Sequence, residues 1–321
     1  MRRLQVRLGG PDVAGWQDFL SSAGLDPGPI DGDFGPKTET ATIVFQIANG
    51  LPETGIVDDV CLGKAIAAGF KPLATPGASQ VVKVRSVKDG VTIFKLSGGE
   101  AVFFTADMDV DADGCPLAYA PEDKGIEALS NATNKRTGKL SRDVMVLQRN
   151  GNPFVQGTAA PAPGFYISQT ALRDNQKASN RPEDPTCYVD ALTVPYIVIP
   201  SGNVGGAKPG DAALVINLET KAHVKAIVGD VGSANEIGEA SIFCAGLARG
   251  LNPTQITERL ARTPHSVLNP RDGGDKIRRY RYIIFPQKTA MPWPRTLTQI
   301  EAQVDGALAS LTPDQILVLA Q

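Results

Sequence analysis

The sequence predicts an α+β chain of two units: a small all-α three-helix module, and a larger β-rich, barrel-like domain that ends in a helical hairpin. Three observations carry this. Apolar residues recur at three- and four-residue steps over residues 1–72; they alternate with polar neighbours in short runs over 81–290; and a Pro-, Gly- and Ser-containing connector at 73–80 separates the two patterns. Helical spacing returns over 291–321.

In the first unit, Val13, Trp16, Phe19 and Leu20 fall on one helical face after Pro11-Asp12, a pair suited to a helix start. The stretch from Leu25 to Gly35 is dense in turn formers, and Pro36 suits the first turn of a second helix, whose apolar stripe is expected at Ala41, Val44, Phe45 and Ala48. A second Gly-rich turn from Gly50 to Asp58 echoes the first, and Leu62, Ala65 and Ile66 mark a third helix. In the second unit, strands are expected around Val82 and Val84, Val91 and Ile93, Val102 and Phe104, residues 195–200, 213–216 and 282–286. The chief helical signal there runs from Ile237 to Leu247. Beyond Met291-Pro292-Trp293-Pro294, Leu297, Ile300, Val304, Leu308 and Leu311 repeat as an amphipathic helix. Thr312-Pro313-Asp314-Gln315 is then a capping-box pattern opening a last helix with Ile316, Leu317 and Leu319.

With 321 residues, 42% of them hydrophobic, the chain can bury a full core. Its net charge of -2 and scattered cations, apart from Arg278, Arg279 and Arg281, point to neither a nucleic-acid nor a membrane partner. No apolar run approaches the roughly 20 residues that span a bilayer, and the first residues contain no apolar segment of a secretory signal. Cys61, Cys115, Cys187 and Cys244 form no CxxC pair, which argues against a zinc ribbon and leaves disulfides and buried thiols both open. The histidines are His223 and His265; there is no HExxH motif and no GxSxG elbow. Carboxylates remain as the chemical groups, and neither cofactor nor metal is expected.

Residues 226–243, AIVGDVGSANEIGEASIF, bring two carboxylates to one loop: Asp230 at the end of a strand and Glu239 at the expected start of a helix. Two carboxyls held beside a cleft suit glycoside hydrolysis, one protonating the leaving oxygen and the other activating water. The same residues also suit a plain strand end and helix start.

The first unit resembles the peptidoglycan-binding domain found on many cell-wall hydrolases, through Trp16-Gln17-x-Phe19-Leu20, Gly28-x-Ile30-Asp31-Gly32-x-Phe34-Gly35-Pro36-Lys37-Thr38, Val44-Phe45-Gln46, Gly50-Leu51 and Thr54-Gly55-Ile56-Val57-Asp58. That resemblance implies a bacterial cell-wall partner for residues 1–72 and action outside the cytoplasm, although no signal peptide is present. The second unit resembles glycoside hydrolase family 75, the chitosanases. The matching stretches are residues 103–114 (FFTADMDVDADG), 164–172 (GFYISQTAL), 188–200 (YVDALTVPYIVIP), and 229–232 (GDVG) with 237–241 (IGEAS). This resemblance implies an inverting hydrolase of β-1,4-linked glucosamine chains, with Glu239 as acid and Asp230 as base, or the reverse. It further implies carboxyls about 6.5 to 9.5 Å apart. Glu236 is read either as a neighbour that raises the acid's pKa or as an exposed loop residue.

Asp109-x-Asp111-x-Asp113-Gly114 looks like the start of a calcium loop, but the twelfth position is Ala120 and flanking helices are absent. An acidic cleft wall at Asp107 and Asp109, reading positively charged amino sugars, fits the family better; a capped turn is the alternative. Tyr166 and Tyr196 could stack on sugar faces or sit in the core. The chain departs from the family in its wall-binding module, its lack of a signal and its cysteines. Peptidoglycan, also a β-1,4-linked amino-sugar polymer, is therefore the alternative substrate to chitosan, and a non-catalytic wall-binding protein the alternative to an enzyme.

Overall fold

The computed structural model describes residues 3–71, 81–87, 90–272, 275–288 and 291–320. It divides into two compact units, 1–77 and 78–321. The expected connector at 73–80 lies outside the described residues.

The first unit packs α1 (Pro11–Ser22), α2 (Pro36–Ala48) and α3 (Asp59–Ala67) around Leu4, Val13, Trp16, Leu20, Phe34, Phe45, Val57 and Phe70. Pro11 and Pro36 open their helices, where a missing N–H costs nothing, and the Asp58 side chain caps α3 by accepting from the N–H groups of Val60 and Cys61. Trp16 is fully buried; its ring meets Phe19, Phe45 and Phe70 at centroid distances of 5.3–5.7 Å, and its Nε1 donates to Thr42 Oγ1 at 2.9 Å. The stripe of α2 differs from expectation. Thr38, Ala41, Thr42, Phe45 and Gln46 are buried, while Val44 and Ala48 face solvent, because the face is chosen by polar residues that bond the turns as well as by apolar ones. On α3 the buried pair is Cys61 and Ala65, with Ile66 exposed.

Among the described residues the second unit has eight strands: β1 (Val81–Ser86), β2 (Thr92–Leu96), β3 (Val102–Asp111), β4 (Tyr196–Pro200), β5 (Ala212–Asn217), β6 (His223–Gly232), β7 (Glu239–Ser241) and β8 (Asp275–Phe285). Six of them close into a barrel in the order β3-β7-β4-β6-β5-β8, the last pairing back to β3; the β1–β2 hairpin extends from β3. The pairs β3–β7 and β4–β6 are parallel and the rest antiparallel. Closure leaves no free edge within the ring of six, and β1 is the outer strand of the hairpin. Between β3 and β4 the chain makes an excursion over 112–195, held mostly by isolated bridges and turns, with the short helix α4 (Asn175–Asn180). Two more helices, α5 (Ile242–Ala248) and α6 (Glu258–Arg262), follow β7.

At the C-terminus, α7 (Leu297–Ala309) and α8 (Pro313–Ala320) form the expected hairpin on the barrel, burying Ile300, Val304, Leu311, Val318 and Leu319. Both open with a reciprocal cap, Thr296 with Gln299 and Thr312 with Gln315. Leu297 and Ile316 are exposed, and the Leu317 side chain lies outside the described residues. All four cysteines are buried free thiols. No described helix is long and apolar enough to cross a membrane.

Candidate active site

Asp230 and Glu239 meet on the barrel wall through strand register. Glu239 lies on β7, not at a helix start: Gly238 sits at φ 91° and ends the preceding loop, and α5 begins only after Ser241, whose Oγ caps it by accepting from Cys244 N at 3.1 Å. Both carboxylates are register partners of Val198 on β4, Asp230 from β6 on one side and Glu239 from β7 on the other. Register partners share a face of the sheet. Two strand spacings of roughly 4.8 Å therefore separate their Cα atoms by about 10 Å, with Val198 between.

A β-bulge produces this alignment. Ile197 pairs with Val228 and Val198 with Asp230, so Gly229 is the extra residue of β6. Without it, the period-two alternation would put Asp230 on the opposite face from Glu239. Glycine is demanded there, since a Cβ would stand 2.5 Å from the Tyr196 ring. Glu239 leans over Val198 toward β6, with its Oε2 3.8 Å from where a Gly232 Cβ would be.

Asp109 on β3 pairs with Glu239 and continues the row, and Asp111 pairs with Ser241 one step along the same face. Asp109 forms an ion pair with Lys276, and Asp107 is half-buried two residues before it. Tyr196 is fully buried and offers no ring face to a sugar. Its hydroxyl donates to Asp111 Oδ2 at 3.0 Å and lies 2.8 Å from the Asp113 carbonyl, a distance at which that oxygen shares the same donor. Tyr166 is half-buried in the 112–195 excursion, its side chain against the barrel core and its N–H bonded to the Tyr119 carbonyl.

Asp111, Asp113 and Asp230 are buried and present one oxygen each within 4.8 Å of one another. Such a trio could hold a cation or share protons. Asp113 N donates to Asp111 Oδ1 at 2.8 Å, and Asp113 Oδ1 is buried with no partner among the described residues. Gly114 at φ 77° makes the turn possible; a Cβ there would lie 2.1 Å from the Val189 carbonyl. Glu127 is also buried, accepting from Ala128 N and Asn131 Nδ2.

Burial dominates the electrostatics. Desolvation, then the Asp111 charge, pushes the Asp230 carboxyl up to about 8, although N–H bonds from Ala171 at 2.8 Å and Val231 at 2.7 Å oppose the shift. Desolvation, then Asp111 and Asp230, holds Glu239 well above the usual carboxylate range. Glu236 is exposed, the second of its two expected readings, and its charge acts on Asp109. Burial likewise raises Asp111, Asp113 and, to about 7, Glu127. Glu127 carried no signal in the sequence, since a lone Glu after Gly125-Ile126 has no distinguishing spacing. Asp111 and Asp113 stood in the calcium-like run, but their approach to Asp230 is long-range.

Among known proteins, residues 9–64 match the family model described as "Putative peptidoglycan binding domain". One similar solved structure is "The crystal structure of SleB N-terminal domain", 31% identical, covering 21% of this chain and 92% of that one, with a TM-score of 0.21. Comparison with curated proteins found no match. The first unit is thus a peptidoglycan-binding-type domain, and the match supports association of the chain with the cell wall.

Proposed function

We propose that the second unit is an inverting glycoside hydrolase acting on β-1,4 bonds of an amino-sugar polysaccharide, chitosan-type or peptidoglycan, which the first unit holds at the cell wall. One observation carries the reading: Asp230 and Glu239 stand on one face of the barrel, flanking Val198, about 10 Å apart at Cα by two strand spacings of roughly 4.8 Å. That backbone distance is compatible with carboxyls separated by a sugar and a water, as inversion requires. The likeness of the surrounding stretches to family 75 chitosanases agrees with it.

Hydrogen bonding supports Glu239 as the acid and Asp230 as the base. Asp230 accepts from two backbone N–H groups, which favour its ionised form, while Glu239 is opposed in ionising by the four carboxylates Asp111, Asp230, Asp109 and Glu127. Asp230 therefore loses its proton first, and it reaches its working, ionised form as pH rises to about 8. Glu239 donates its proton to the glycosidic oxygen as the bond to C1 breaks; Asp230 takes a proton from the water that attacks C1 from the opposite face, and the anomeric configuration inverts.

The test is reducing-end release from chitosan and from purified peptidoglycan by wild type, Glu239→Gln and Asp230→Asn. Release by wild type that both variants lose supports the reading. Absence of release from either polymer would leave a wall-binding protein without this activity.

A further inference from the structure

Beside the acidic row lies a cavity of about 500 Å³ lined by Arg249, Lys276, Arg279, Tyr280, Leu251 and Val267, with Asp275, Asn217 and Thr220 completing it. Lys276 joins the two features, since it lines this cavity and pairs with Asp109, the register partner of Glu239. The lining holds three cations against one carboxylate, Asp275, which is engaged by Arg279 and by the Tyr280 hydroxyl at 3.0 Å.

Two of the cations keep donors in reserve. Arg249 Nη2 donates to the Met108 carbonyl at 2.8 Å, but its Nη1 is buried without a partner among the described residues. Arg279 reaches Glu219 at 2.7 Å and Asp275, yet its Nε is likewise buried and unpartnered. Their guanidinium carbons lie 5.9 and 5.8 Å from the centroid of the Tyr280 ring, which fixes both beside it. Buried N–H groups without acceptors are costly unless a ligand supplies the acceptor. A planar carboxylate matches guanidinium donors, and Leu251 and Val267 offer apolar contact to a short aliphatic stem.

We infer that this cavity is a subsite for a carboxylate-bearing substituent of the glycan, which makes the substrate an acid-substituted amino-sugar polymer of the peptidoglycan type in preference to polycationic chitosan. The inference rests on the glycosidase reading for its place beside the scissile bond. Asp109 points the same way: its ion pair with Lys276 neutralises the group that would otherwise receive a glucosamine ammonium.

The whole chain is tested in two assays. In the first, a soluble disaccharide-peptide of peptidoglycan is titrated calorimetrically into Glu239→Gln, with and without Arg249→Gln or Val267→Glu added. The first-unit contribution is common to all of these proteins. Val267 is 53% exposed, so a charge at the cavity mouth spares the buried contacts. Affinity should fall about tenfold or more in both added variants, the scale of a lost charge-assisted hydrogen bond. In the second, KM is compared on peptidoglycan strands with free carboxyls and with carboxyls blocked as methylamides. Wild type should prefer the free form, and Arg249→Gln should lose that preference. Binding that depends on Arg249 in a protein that cuts neither polymer sinks the hydrolase reading and keeps the subsite. Binding indifferent to both substitutions overturns the subsite whatever the activity, and equal KM on the two strand forms overturns it in an active protein.

Discussion

The two units treat buried polar groups in opposite ways. In the first, two glutamines close the two Gly-rich turns by the same device. Gln17 accepts from Gly32 N at 2.9 Å and donates to the Asp33 carbonyl at 3.0 Å; Gln46 accepts from Gly55 N at 2.9 Å and donates to the Ile56 carbonyl at 2.8 Å. These groups are neutral, buried and mutually satisfied, so they define the turns at small net cost. In the barrel, the corresponding investment is in carboxylates: Asp111, Asp113 and Asp230 crowd within 4.8 Å, and one oxygen of Asp113 has no partner among the described residues. Such crowding destabilises a fold and is retained where charge does chemistry. The first unit is held by satisfied neutral groups, whereas the barrel wall carries crowded carboxylates.

The largest expected effect separates the units by activity. Glu239→Gln and Asp230→Asn should each lower glycan hydrolysis by a factor on the order of 10²–10⁴, while Gln46→Ala leaves turnover of a soluble substrate within about twofold, at the scale of additive, independent sites. Initial rates on soluble strands check this, and an equal loss in all three variants would break the division.

Stability against pH comes next. Asp230 ionises near 8 in the folded chain and near 3.9 in an unfolded one. Between those values the folded chain holds a proton that the unfolded chain has released, so wild-type stability should fall as pH rises from about 4 to about 8. Asp230→Asn should flatten that decline, raising stability at pH 8 by an amount on the order of a few kcal/mol. Urea melts at both pH values measure it, and identical slopes in the two proteins would show that the carboxyl is not held protonated.

Gly229→Ala should destabilise the barrel by about 1–3 kcal/mol, because the added methyl collides with the Tyr196 ring, and should lower activity more than that loss accounts for by shifting Asp230 out of register. The paired readouts are a denaturation curve and the initial rate on strands. The smallest effect falls in the first unit: Gln46→Ala should cost about 1–2 kcal/mol by leaving buried Gly55 N without its acceptor and removing the shorter of the two bonds to the Ile56 carbonyl. Retention on purified cell walls at rising temperature should report it, with hydrolysis of soluble strands as the unaffected control.

Much of this was legible in the chain itself. Helix starts at Pro11 and Pro36, the caps at Thr296 and Thr312, and the Gly-rich turns are local devices, encoded within a few residues. The facing of α2 was less so, since the choice of Gln46 over Val44 for the interior depends on a turn ten residues away. Asp230 and Glu239 could be singled out because they sit close in sequence. Their shared face could not be, because it follows from both pairing with Val198, some thirty to forty residues earlier, and from one bulge.

What the sequence determined alone is therefore whatever is set by nearest neighbours: the division into a helical and a β-rich unit, the helix termini, and the two carboxylates of one loop. What only the tertiary structure decided is whatever needs distant segments in contact: the closed six-stranded order, the burial of Tyr196 against Asp111, the gathering of Asp113 with Asp230, and the pairing of Asp109 with Lys276. The physical reason is that backbone dihedrals and caps are settled by local energies. Desolvation and charge crowding depend on which residues the closed sheet brings to one face.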